Sequence, residues 1–221
     1  MIKIENVEVV GWEHAIRGMR NPKNSWDRSD SGIDYFQTSK IVDGDIVCYP
    51  EYIVGNNDLD LMTKLVKAGT DHRKFMRMIV VYADITAPLY WWKEYDTYKV
   101  GTVANSCSTM HKIHTKQFDA SDFSCENMDK DTFAVFTEVL KLLEKKRYDF
   151  CMTKDKEKWY SIVQLLPSSY NQKRTVMLNY EVLKNMYHSR KNHKLDEWKT
   201  FCDFIEKLPY AKELIINEQC S

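Results

Sequence analysis

Two sets of polar side chains have the types and spacing to grip a ring-bearing, anionic ligand. The first lies between Asp71 and Lys112. It opens with the basic turn Asp71-His72-Arg73-Lys74, alternates charged and aromatic residues from Lys93 to Lys99, and closes on small hydrogen-bonding residues: Thr102, Asn105, Ser106, Ser108 and Thr109. Such a stretch suits a polar ligand held beside stacking rings. The second set, Asn179, Asn185 and Arg190, lies on a helix read from about Val176 to Asn192. At about 100° per residue, Asn179 and Arg190 share one face and Asn185 points roughly 120° away, so one helix can meet two ligands. Arg190 offers a planar fork for a carbonyl edge or a phosphate, and an asparagine pairs donor with acceptor along a ring edge. The plainer alternative is a solvated helix face with Arg190 in a salt bridge.

The surrounding pattern predicts the elements that hold these residues. Ile79 to Tyr82 is a β-branched and aromatic run suited to a buried strand, and Pro88, lacking an N–H, must bend the chain or change its partner before Leu89, Tyr90, Trp91 and Trp92. Residues 2–10 alternate as a half-buried strand, Gly11 ends it, and Trp12 to Met19 follows as a short helix. Asn21 to Gly32 reads as a loop, either a lid over a site or a solvated connection. Asp43-Gly44 predicts a hairpin between Ile41 and Ile46-Val47. Asn57 starts a helix with Leu61, Leu65 and Ala68 inward and Gly69 as its cap. Further helices are predicted through Phe133, Phe136, Leu140 and Leu143 to a basic end at Lys145-Lys146-Arg147, over Glu157–Leu166, and over Leu195–Lys207. The fold class is α/β of the α+β type, an antiparallel sheet flanked by helices, in one domain over residues 1–221.

Composition bounds the function. Lys plus Arg and Asp plus Glu are 32 each, so there is no global field to attract nucleic acid and any anion must be held locally. The six cysteines form no CxxC pair and no metal-ligand spacing with the six histidines, which predicts reduced thiols, no metal and a cytoplasmic compartment. No window approaches the roughly 18 apolar residues of a membrane span, and MIKIENVEVV is not a signal peptide. Cys107 and Cys151 are candidate nucleophiles by type, but no histidine stands at an informative spacing from either.

The two polar sets, in this order, resemble the flavin-dependent thymidylate synthases (ThyX). His72 falls where that family has a flavin-contacting histidine, and Ala87-Pro88 falls on its Ala-Pro. Leu166-Pro167 matches its Leu-Pro, and counting from Pro167, Asn179, Asn185 and Arg190 land on two asparagines and a nucleotide-binding arginine without a gap. The departures are as specific. The family's Arg-His-Arg is Thr97-Tyr98-Lys99, the preceding glutamine is Glu94, the serine of the tail is Cys107, and the phosphate-binding arginines are Thr109 and Val163.

The resemblance implies FAD held by His72, Asn179 and Asn185. A pyrimidine nucleotide of the dUMP type would lie by Tyr98, Lys99, Asn105, Ser108 and Arg190, with Lys99 and Arg190 polarising the reacting ring. It also implies a reduced folate as methylene donor, dTMP synthesis by methyl transfer, and a homotetramer with sites between subunits. Lysine is a point charge and not a bidentate fork, so Lys99 is no conservative replacement for an arginine. The lost cations argue against unchanged dUMP binding. The competing expectation is therefore a catalytically inactive nucleotide-binding or sequestering protein on the same fold.

Overall fold

The computed structural model describes residues 2–42 and 45–217, with residues 35–42 and 45–50 described through their backbone pairing alone. Four strands form an antiparallel sheet in the order β1-β4-β6-β5. They are β1 (Lys3–Val10), β4 (Val80–Pro88), β5 (Thr102–Ser106) and β6 (Asn171–Asn179). β4 alternates Val81, Ala83, Ile85 and Ala87, all buried, with outward Tyr82 and Asp84, as a sheet covered on one face requires. β2 (Gly32–Val42) and β3 (Asp45–Ile53) form a separate hairpin in which Ile41 faces Ile46 and Val42 faces Asp45, in the predicted register. The turn residues 43–44 lie outside the described residues.

Helices cover the apolar face of the sheet. α1 (Trp12–Arg20) follows Gly11, whose φ of +94° and approach to Met78 leave no room for a side chain: a Cβ would stand 2.1 Å from the Met78 carbonyl oxygen. α2 (Asn56–Lys67) ends at Ala68, with Gly69 left-handed just beyond it. Its buried face is Asp58, Met62 and Val66, one position round from the predicted Leu61, Leu65 and Ala68; Leu61 and Leu65 are half-buried and Ala68 is exposed.

Three further expectations are corrected. Pro88 does end its strand, but the chain continues directly into a helix, α3 (Leu89–Tyr95), which buries Trp91, Trp92 and Tyr95 against Trp198 and Phe201. These rings are core, not a platform for ligands. Asn171–Asn179 is strand β6, and the helix α6 starts only at Tyr180 and runs to Arg190. The inward set Gln172, Val176 and Leu178 keeps the period of two needed between β4 and β5, and tertiary pairing overrides the helical reading of Val176–Asn179.

The helix α4 (Lys130–Thr153) continues past Lys145-Lys146-Arg147, so that basic run is not its end; Arg147 is bound to Glu144 at 2.6 Å. Its true stop is Lys154, left-handed at φ 56°. α4 and α5 (Lys156–Leu165) pack a second, smaller apolar cluster around Phe136, Leu143 and Ile162. α7 (Asp196–Glu206) closes the main core, followed by a wide turn over Lys212–Ile216.

The loop after α1 is the solvated connection of the two readings, with residues 21–24 and 26–30 exposed. Arg20 and Asp58, both buried, pair at 2.6 Å, and Asp58 also accepts from Ser29 Oγ (2.7 Å), Ser31 Oγ (2.6 Å) and the Asp30 N–H (3.2 Å). Arg20 in turn donates to the carbonyls of Ser25 and Arg28, each at 3.1 Å. Asp30 accepts from the first N–H groups of α2, at Asn57 (2.9 Å) and Asp58 (3.1 Å). Ser25, Arg28, Ser29, Asp30 and Ser31 are thus tied to one buried ion pair.

Candidate functional site

A cleft of about 710 Å³ opens between one face of α6, the Val100-Gly101 turn before β5, and the Arg73–Arg77 turn before β4. Its size is that of a ligand pocket. Glu181, Lys184, Asn185 and His188 line it at i, i+3, i+4 and i+7 of α6, a single polar stripe on a helix that buries Leu183, Met186 and Tyr187 in the core. Asn179 stands at the head of that helix. Its Oδ1 accepts the Val182 N–H at 2.9 Å as the cap, and its Nδ2 lies over Gly101. A Cβ on Gly101, which has φ +80°, would come within 2.5 Å of that nitrogen. Gly101 therefore leaves the space that the Asn179 amide fills.

The charge balance of the cleft is positive. Arg73, Arg77 and Lys184 line it against one carboxylate, Glu181. Arg73 holds Glu181 through three bonds, Nε to Oε2 at 2.9 Å and to Oε1 at 3.1 Å, and Nη2 to Oε1 at 3.0 Å, while Arg77, exposed, makes no ion pair among the described residues. Lys184 is buried and donates to the carbonyls of Ile215 (2.8 Å) and Asn217 (3.1 Å), pinning the last described turn to α6. Its pKa is pushed down, first by burial and then by the nearby Arg73 charge, against a smaller opposing pull from Glu181.

The residues singled out from sequence divide into two groups. Asn179 and Asn185 line the cleft. Arg190 does not: nine residues beyond Glu181, it lies about 180° round the helix. There its Nη1 donates to Glu94 Oε2 (2.8 Å) and its Nε to the Tyr98 hydroxyl (2.9 Å), and its guanidinium lies 4.8 Å from the Trp198 ring centre. Glu94 Oε2 also accepts from Trp198 Nε1 at 2.8 Å and faces His193 Nε2 at 3.3 Å. The salt-bridge alternative for Arg190 is the arrangement observed. The shared face with Asn179 is not, because Asn179 caps the helix and is no part of its spiral.

His72 is exposed beside Arg73, with its backbone N–H on the Gly69 carbonyl at 3.1 Å. Lys99 is exposed one residue before the cleft wall. Asn105 sits on β5 opposite Thr175, and Ser108 Oγ accepts the N–H groups of Met110 (3.2 Å) and His111 (2.9 Å), stabilising a local turn. Sequence reasoning missed Arg77, Gly101, Glu181, Lys184 and His188 as wall residues. The signal was present in the polar i, i+3, i+4, i+7 stripe, hidden by starting the helix four residues early.

Among the described residues, no group of three His, Cys, Asp or Glu side chains is placed to hold a metal ion, and no helix is long and apolar enough to cross a membrane.

An antiparallel sheet flanked by helices, with a cleft at the head of α6, defines a ThyX-like fold. Thymidylate synthase X (ThyX) from Helicobacter pylori, solved with FAD and dUMP, matches over 97% of this chain and 97% of its own, with a TM-score of 0.67 and 14% identity. A second structure of the H. pylori flavin-dependent thymidylate synthase ThyX, complexed with FAD and dUMP, matches over 96% and 98%, with a TM-score of 0.64 and 15% identity. At such identity the likeness is one of fold. No protein-family model and no curated sequence matches the chain.

Proposed function

We propose that this is a ThyX-like flavoprotein that holds FAD in the cleft at the head of α6 and acts on a pyrimidine nucleotide of the dUMP type. The observation that carries the reading is the match along nearly the whole chain to a protein solved with both ligands. The cleft fits the cofactor's chemistry. Arg77, with Arg73 and Lys184 behind it, suits a pyrophosphate, and the amides of Asn179 and Asn185 suit a ring edge that needs both donors and acceptors. His72, next in the chain to Arg73, is assigned to the same cofactor.

When bound, FAD supplies hydride chemistry, with a reduced folate as the methylene donor. The chain's own part is to bind and orient. Tyr98, Lys99, Asn105, Ser108 and Arg190 form the nucleotide side, Lys99 and Arg190 countering charge that develops on the ring. The chain is one domain and works as a homotetramer in the cytoplasm, with each site completed by a neighbouring subunit.

The test is turnover: purified protein with FAD, dUMP, methylene-tetrahydrofolate and a reduced nicotinamide should yield dTMP. FAD and dUMP binding without dTMP would leave a sequestering protein. Binding of neither would defeat both.

A further inference from the structure

A second cavity, of about 520 Å³, shares no lining residue with the α6 cleft and is walled by Trp12, Tyr52, Phe204, Leu208 and Tyr210, with Val7 and Val9 of the edge strand β1. Its rings are fixed. Trp12, 5% exposed, is held edge-on between Tyr180 (centroids 5.3 Å apart) and Tyr210 (5.2 Å). Tyr210 sits in the left-handed region at φ 54°, a conformation rare for a bulky side chain, and its hydroxyl accepts the Val54 N–H at 3.0 Å. Strain of this kind persists where the surroundings over-determine it, and it gathers at ligand clamps. Val7, on the wall, is 46% exposed, so the hollow is open to solvent.

One cation lines this cavity. The ammonium of Lys207, just past the end of α7, has no hydrogen-bond or ion-pair partner among the described residues, whereas Glu51, also on the wall, interacts within the chain. A lysine there is already favourable to the helix end. The ring-lined wall therefore sets what class of molecule enters, and Lys207 sets its charge.

We infer that this cavity is a binding site, separate from the α6 cleft, for a small planar aromatic molecule carrying one negative charge. Its ring would pack among Tyr52, Phe204 and Tyr210, and its anionic group would reach the Lys207 ammonium.

The test uses the full chain with indole-3-acetate and its uncharged twin indole-3-acetamide, measured by calorimetry and saturation-transfer NMR. Indole-3-acetate is expected to bind roughly tenfold more tightly than the amide, the scale of one charge-assisted hydrogen bond. Lys207→Gln, at an exposed position, removes that margin and leaves amide binding unchanged. Val7→Trp, which fills the mouth, abolishes both. Equal affinity for the two compounds in the natural chain, binding of neither, or binding that survives Val7→Trp overturns the inference. FAD uptake serves as the control for folding, since neither variant touches the α6 cleft.

Discussion

Arg190 and Glu94 share a charge-assisted hydrogen bond of 2.8 Å on the side of α6 opposite the cleft. One carboxylate oxygen receives donors from α6 and α7, so the grip also ties α3 to both helices.

Glu94→Gln is expected to raise affinity for dUMP by roughly tenfold, because the fork of Arg190 no longer faces a fixed negative charge. The glutamine oxygen still accepts from Trp198, and the pair is partly solvated, so stability should fall by only about 1 kcal/mol. Calorimetry with dUMP and urea unfolding read the two effects separately. Unchanged or weaker dUMP binding would remove Arg190 from the nucleotide side.

Asp58→Asn leaves Arg20 charged and buried without a counter-ion and should cost about 3 kcal/mol in urea unfolding at neutral pH. Burial alone would raise the Asp58 pKa, but the hydrogen bonds from Ser31, Ser29 and Arg20, together with the Arg20 charge, prevail and hold it below the usual value. Its contribution is therefore complete above pH of about 4 and is lost as pH falls through the lowered native value. The natural chain should lose stability across that acid limb faster than the variant does.

Gly101→Ala forces a left-handed alanine against the Asn179 amide. A loss of about 1–2 kcal/mol is expected, since the strain adds to a weakened helix cap. FAD uptake should fall with it, because the same amide lines the cleft. Thermal unfolding with and without FAD checks this; a variant as stable and as flavin-competent as the natural chain would contradict the assigned role of Asn179.

Lys184→Met tests the anchor of the last turn. A lysine whose native pKa is lowered leaves the unfolded chain holding more protons over the interval between that value and the ordinary one near 10.4. Stability of the natural chain should rise with pH across that interval, and the rise should vanish in the variant. A rise of equal size in both would assign the effect to other groups.

The sequence was most legible where neighbouring residues carried the signal. The β-branched run before Pro88 falls in a strand, the strands on either side of Asp43-Gly44 pair in the predicted register, and Asn179 and Asn185 both line a cleft. The boundary between β6 and α6 was not legible, because Val176 and Leu178 fit a period of two while Val176 and Leu183, seven residues apart, fit one of 3.6. Pairing to β4 and β5, a long-range fact, fixes Val176–Asn179 as strand. The Arg20–Asp58 pair spans 38 positions and has no local signal at all. Trp91, Trp92 and Tyr95 carried the opposite lesson, since aromatic richness fits a packed core and a stacking site equally until burial is known.

The central claim is that the cleft at the head of α6 takes a flavin. The most direct measurement is the visible absorbance spectrum of the freshly purified protein, recorded before and after incubation with FAD and removal of the excess. The account predicts flavin bands that stay with the protein and weaken in Gly101→Ala; a preparation that remains colourless after FAD is added contradicts it.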